Sequence, residues 1–192
     1  MLEAAKRAGV TAITCTPHCR DPYFDFEAMW QAYYRLQDAV GDFPLTMGFE
    51  VNHRKLMDLG LQWAKALHAN ESRDFLLEFS FGAPASAYDE YERTIFQLQA
   101  MGYDVIIAHP ERYRAIQQDI GLAEELVKMG CRLQVSADFI AGGRLGAERR
   151  PAIRLLKAGL VSFIASDAHR VKHYDYLNSA CVKYGHLLRL QD

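Results

Sequence analysis

Short apolar or β-branched runs alternate with longer amphipathic ones along the whole of this chain. "VTAITCT" is followed by "DFEAMWQAYYRLQDAV", whose apolar positions recur at helical spacing behind Asp25, an N-cap residue type. "PLTMGFEV" precedes "RKLMDLGLQWAKALHA", and "DFLLEFS" precedes "SAYDEYERTIFQLQAMG", whose Gly102 suits a helix stop. Then "YDVIIAH" leads to "LAEELVKMG", "CRLQVS" to "RRPAIRLLKAG", and "LVSFIAS" to "DYLNSACVKYGHLLRL". Repeated strand–helix units predict an α/β fold, a parallel sheet with helices packed outside it.

Each predicted strand ends on a polar residue: His18, Glu50, Glu78, His109, Ser136 and Asp167. Successive separations are 32, 28, 31, 27 and 31 residues, the length of one βα unit. All but Ser136 are metal-ligand or acid–base types, and strand C-terminal ends are where barrel and open α/β enzymes place their chemistry. Polar residues scattered over loops would have no reason to keep that interval. Carried backwards from His18, the interval predicts another strand end about thirty residues earlier, ahead of Met1. "LEAAKRAG" then reads as the helix following that strand, and six strands are few for closing a barrel.

Histidine, glutamate and aspartate on one rim suit Zn²⁺, Mn²⁺ or Fe²⁺, and a carboxylate such as Glu50 could bridge two ions that activate water and clamp a phosphoryl group. In "SDAH", Asp167 and His169 are two apart, so an extended backbone points both the same way. "AHPERY" sets Arg112 three residues after His109, where a guanidinium could grip phosphate oxygens. Taken singly, His109 before a proline fits a hydrogen-bonded loop histidine; the regular series is what makes it a candidate. His53, His68, His173 and His186 lie in or beside polar or helical segments and read as structural. So do Cys15 and Cys19: "CTPHCR" has four residues between Cys15 and Arg20 where a cysteine-phosphatase loop needs five, and it lacks that loop's glycines. "AGGRLG" fits no dinucleotide or phosphate loop and reads as a flexible rim loop.

Composition narrows the class. A chain of 192 residues, half of them apolar, suits a single domain over 1–192, and a net charge of −2 leaves no basic excess for nucleic acid. The densest charge run, "GAERRPAIR", reads as a solvated helix start. No stretch reaches the roughly 20 apolar residues of a membrane span, and Glu3, Lys6 and Arg7 are wrong for a signal peptide. Four cysteines set on or beside apolar segments predict reduced thiols and a cytoplasmic protein.

In this order, "TPH", "GFEV", "LLEFS", "AHPERY", "QVSADF" and "FIASDAH" resemble the PHP-domain (polymerase and histidinol phosphatase) protein-tyrosine phosphatases of bacterial capsule and exopolysaccharide operons, the CpsB/YwqE-like group. The resemblance implies a distorted (β/α)7 TIM-like barrel, here with its first strand missing, and a metal site at the C-terminal rim. It implies up to three divalent ions, manganese foremost with iron or zinc as alternatives, and hydrolysis of phosphotyrosine on a tyrosine autokinase that controls polysaccharide assembly. Carried over, Glu50 bridges two metals, Glu78 and His109 complete the second site, His18 and His169 bind the third, and Asp167 the first. Arg112 contacts the substrate phosphate, and Arg170 is a second candidate contact; Glu50, His109 and Arg112 are the catalytic candidates.

The family opens on a D-x-H-x-H strand that these residues do not contain, and after "SDAH" this chain reads "RVKHYDY" where the family continues with an arginine and prolines. Over the residues present, turnover is therefore expected to be weak or absent, with full activity expected of a chain extended upstream. The alternatives are another PHP-type phosphoesterase acting on small phosphate esters, or a non-catalytic remnant that binds a partner or metal. Self-association is left open.

Overall fold

In a computed structural model, residues 1–70, 72–143 and 146–189 are described. Eight short strands run in chain order: β1 (Ile13–Cys15), β2 (His18–Cys19), β3 (Leu45–Met47), β4 (Glu50–Asn52), β5 (Asp74–Glu78), β6 (Asp104–Ala108), β7 (Arg132–Ser136) and β8 (Val161–Ala165). β1 and β2 are two halves of one extended segment interrupted at Pro17, which has no N–H to give to a ladder. β3 and β4 are likewise separated at Gly48–Phe49. The Gly48 N–H to Cys15 carbonyl bond (2.9 Å) and the Glu50 N–H to Pro17 carbonyl bond (3.1 Å) carry the pairing across both breaks. A Cβ at position 48 would lie 3.1 Å from the Ala69 Cα, a tight contact that glycine avoids. His18 and Glu50 thus open the second half of their strands, whereas Glu78 and Ser136 end theirs and His109 and Asp167 follow theirs.

All pairings are parallel; β1 pairs with β3, and the main sheet has the order β2-β4-β5-β6-β7-β8, sequential from β4 onward. The predicted α/β architecture is therefore present. Among the described residues, β2 and β8 do not pair with each other, so the sheet is open and no closed barrel is formed. Its two ends nevertheless approach: the His18 and His169 rings lie 5.7 Å apart, and Ala4 and Ala5 pack with Tyr174 near the C-terminus. The sheet curls until β2 and α1 at one end approach the segment after β8 and α9 at the other, through side chains rather than a ladder.

The helices are α1 (Leu2–Arg7), α2 (Phe26–Val40), α3 (His53–Leu59), α4 (Ala64–Leu67), α5 (Tyr88–Ala100), α6 (Arg114–Gln118), α7 (Gly121–Lys128), α8 (Arg149–Lys157) and α9 (Lys172–Tyr184). Asp25 caps α2 by accepting the Ala28 N–H at 3.0 Å. Gly102 follows the end of α5 at a φ of 92°, a left-handed stop. The single helix expected over "RKLMDLGLQWAKALHA" is broken into α3, a 3₁₀ turn (Leu61–Trp63) and α4, because Gly60 adopts a φ of 88°. Part of "AGGRLG", Arg144 and Leu145, lies outside the described residues.

Strand alternation separates two chemistries. Val51, Phe75, Leu77, Val105, Ile107, Leu133 and Val135 are buried in the main hydrophobic core beneath the helices. The alternate positions, among them Glu50, Asn52, Glu78, Gln134 and Ser136, share the opposite face, and the parallel register sets Glu50 beside Leu76 and Asn52 beside Glu78. Lower on that face Arg132 pairs with Asp74 and stacks over Phe163 at 5.4 Å. The C-terminal rim is braced by Tyr113, whose fully buried hydroxyl accepts the Phe79 N–H (3.0 Å) and donates to the Ala108 carbonyl. Tyr113→Phe would leave both backbone groups buried without a partner, so unfolding in urea is expected to show a loss of about 1–3 kcal/mol; a variant as stable as the parent would contradict this brace.

Candidate metal centre

Three side chains from three neighbouring strands meet at the rim. His109 Nε2 lies 3.0 Å from Glu50 Oε1 and 3.5 Å from Glu78 Oε1. One ligand atom from each of Glu50, Glu78 and His109 falls within 4.8 Å of the others, and all three residues are buried. His109 reaches the site because its backbone turns sharply after β6: φ is 34°, unusual for a residue with a Cβ, and its N–H is held by the Gln134 carbonyl at 2.7 Å. His18 Nδ1 approaches the same Glu50 oxygen at 3.6 Å. Asn52 Nδ2 donates to Glu78 Oε2 and Arg20 Nη1 to Glu78 Oε1, each at 3.3 Å.

The charges respond to this crowding. Burial alone would raise the Glu50 carboxyl, but the imidazoles of His109 and His18 outweigh it and hold the group far below the ordinary carboxylate range. Glu78 goes the other way, raised first by burial and then by the negative charge of Glu50. Burial would lower His109, yet the hydrogen bond and charge of Glu50 pull it up. Two buried carboxylates and one imidazole thus bring oxygen and nitrogen donors to a common point. His109 Nδ1 is also buried without a partner. Oxygen and imidazole donors of this kind fit Mn²⁺, Fe²⁺ or Zn²⁺.

Beside this trio lies a second cluster. Asp167, at a φ of 42°, accepts from Arg112 Nη2 and from Ser136 Oγ, each at 3.0 Å through Oδ2. Arg112 also donates to Ser136 Oγ (3.1 Å) and Asp138 Oδ2 (3.3 Å), and its side chain is only 6% exposed. Burial would raise Asp167, but the Arg112 guanidinium outweighs it and holds the carboxyl down. His169 is 45% exposed; its Nδ1 bonds the Asp167 carbonyl at 2.9 Å, and its ring faces that of His18. His173 Nδ1 reaches the same carbonyl at 2.9 Å.

The residues singled out from the sequence therefore divide as follows. Glu50, Glu78, His109 and His18 share one network, Asp167 and Arg112 a neighbouring one, and His169 spans toward His18. Arg170 is exposed on the turn before α9 and, among the described residues, belongs to neither cluster. Several neighbours escaped the sequence reading. Arg20, Asn52 and Asp138 sit two residues beyond His18, Glu50 and Ser136, the same offset that linked Asp167 with His169, so a strand-period signal was available for each. Glu111 had no such signal. It is fully buried, accepts the Ser136 N–H at 2.9 Å, and burial pushes its carboxyl up to about 7.

The cysteines stand apart from this chemistry. All four are free; burial raises the Cys15 thiol and pushes Cys19 up to about 12, so neither is poised as a thiolate nucleophile. His53, read as structural, is buried against Tyr91 and bonded to Thr94 Oγ1 at 2.9 Å.

Residues 1–185 match the family model described as capsular polysaccharide synthesis, CpsB/CapC. The chain is 33% identical over 179 residues to the tyrosine-protein phosphatase YwqE of Bacillus subtilis, covering 90% of this chain and 69% of that protein. It is 31% identical over 185 residues to CapC of Staphylococcus aureus (92% and 71% covered), and 25% over 182 residues to the tyrosine-protein phosphatase CpsB of Streptococcus pneumoniae (89% and 74% covered). Among solved structures, it superposes with a TM-score of 0.74 and 28% identity on one from crystallographic work on YwqE and CpsB, described there as unique metal-dependent tyrosine phosphatases; the match covers 98% of this chain and 84% of that one. The ordered strand-end motifs, the parallel fold and these matches agree: this chain belongs to the CpsB/CapC capsular polysaccharide synthesis family.

Proposed function

We propose that this protein is a metal-dependent phosphatase acting on phosphotyrosine in proteins. The observation that carries the reading is the convergence of Glu50, Glu78 and His109 on one buried point at the strand C-terminal ends. The names and metal dependence of the YwqE and CpsB relatives supply the substrate class. Glu50, Glu78 and His109 would hold one divalent cation, manganese before iron or zinc. His18 with His169, and Asp167 with Glu50, are the donors for up to two more. Bound divalent cations lower the pKa of a coordinated water and neutralise charge on phosphoryl oxygens.

The chain's own residues orient that reaction. Glu50 and His109 fix each other at 3.0 Å, and Asn52 and Arg20 fix Glu78, so the donors are set before substrate arrives. Arg112, held by Ser136, Asp138 and Asp167, has further guanidinium N–H groups for a phosphate oxygen, and Arg170, exposed on the turn before α9, is the second candidate. In this reading residues 1–192 form one domain, the curled sheet is the larger part of a distorted PHP-type barrel, the protein works in the cytoplasm, and its substrate is a bacterial tyrosine autokinase.

Two measurements test the reading. Over residues 1–192, Mn²⁺-supported release of phosphate from a phosphotyrosine peptide is expected to be weak, and whatever turnover occurs to be lost with chelator and kept in Cys15→Ser; chelator-resistant turnover that depends on Cys15 would overturn the mechanism. By calorimetry, Glu78→Gln is expected to weaken Mn²⁺ binding by about 100-fold, the upper range for disturbing even an outer-sphere partner, and unchanged affinity would remove Glu78 from the site.

A further inference from the structure

We propose that Phe81 is the platform on which the aromatic ring of the substrate phosphotyrosine rests, and so sets the preference for aryl over alkyl phosphate. The proposal rests on the phosphotyrosine reading above and adds the residue that would recognise the ring. Phe81 follows Glu78 by three residues on the loop leaving β5, and its ring centroid lies 5.5 Å from that of His109. Isolated exposed aromatics are common, so what distinguishes Phe81 is its ring's contact with a candidate ligand.

Phe81 is fixed from two directions. One is the near-parallel ring of buried Tyr113, 6.1 Å away at 27°; the other is its own carbonyl, which accepts the Arg114 N–H at 2.9 Å. Even so, Phe81 remains 38% exposed. Of the exposed large hydrophobic residues described, it is the one whose ring contacts a candidate ligand. Tyr23 is more exposed but lies against the Arg20 guanidinium at 5.8 Å.

The chemistry of the substrate matches this placement. In phosphotyrosine only the ester oxygen separates phosphorus from the ring, so a phosphoryl group at the Glu50–Glu78–His109 point carries a flat apolar surface into the adjoining space. Offset or edge-to-face contact between two rings is favourable beyond simple burial, and a ring already held by Tyr113 and its backbone loses little freedom in making it. Phosphoserine or a small alkyl ester offers no such surface, so the contact discriminates by what the substrate lacks.

The test uses two phosphonates that are not hydrolysed, phenylphosphonate and methylphosphonate, titrated calorimetrically into the Mn²⁺-loaded protein. The parent is expected to bind the phenyl compound more tightly, Phe81→Ala to reduce the phenyl-to-methyl affinity ratio about tenfold, equivalent to about 1.4 kcal/mol, and Phe81→Trp to restore it. Circular dichroism melts of both variants establish that they fold. A ratio unchanged in folded Phe81→Ala, or a parent with no phenyl preference, overturns the platform. Because the readout is binding, it is independent of whether phosphate is released from a phosphotyrosine peptide, which decides the underlying reading separately.

Discussion

Glu50, which opens β4, and Glu78, which ends the adjacent β5, are buried with their carboxylates close together, and their like charges set the terms for everything around them. A buried carboxylate is costly unless it is paired, and two together are costlier still, because each raises the energy of the other's ionised form. The surroundings answer with cations and donors: His109 between them, His18 on Glu50, and Arg20 and Asn52 on Glu78. These partners come from β2 and the residue after it, from β4 and from the turn after β6, so the parallel register of the sheet and the charge balance of the rim depend on each other. A site that gathers negative donors at the cost of stability is what a cation-binding function requires, and the left-handed backbone at His109 and Asp167 is a second departure from the relaxed fold at the same rim.

The fold was legible because its periodicity is strong. Alternating strands such as Asp74–Glu78 and Arg132–Ser136 bury one face and turn the other to the site, and the helices between them carry their own punctuation, Asp25 at the start of α2 and Gly102 after α5. What the pattern could not show was the interruption of the first two strands. The runs through "VTAITCT" to His18 and through "PLTMGFEV" each read as one strand, but the first is interrupted at Pro17, which has no N–H to give, and the second at Gly48–Phe49. Gly60 divides a helix for a similarly local reason. Closure of a barrel is a property of edges and curvature, and neither is written in the alternation of apolar and polar residues.

The site was legible in outline because one residue per βα unit kept a common interval, which places His18, Glu50, Glu78, His109, Ser136 and Asp167 along one rim from sequence alone. Which of them touch was not readable. The interval places a residue at a strand end, but the turn that follows decides its direction, as the positive φ of His109 and Asp167 shows. Arg112 illustrates the limit most clearly. Its offset from His109 suggested an open phosphate grip, whereas the fold surrounds it with Ser136, Asp138 and Asp167, residues distant in sequence. Glu111, buried behind the same loop, has a partner 25 residues away and no periodic mark at all.

The account turns on whether the Glu50–Glu78–His109 point holds a divalent cation. The most direct measurement is a crystal of the protein grown with Mn²⁺, with anomalous diffraction recorded at the manganese absorption edge. The account predicts an anomalous peak within coordination distance of Glu50, Glu78 and His109. A well-ordered rim with no peak there, or manganese bound only elsewhere, would contradict it.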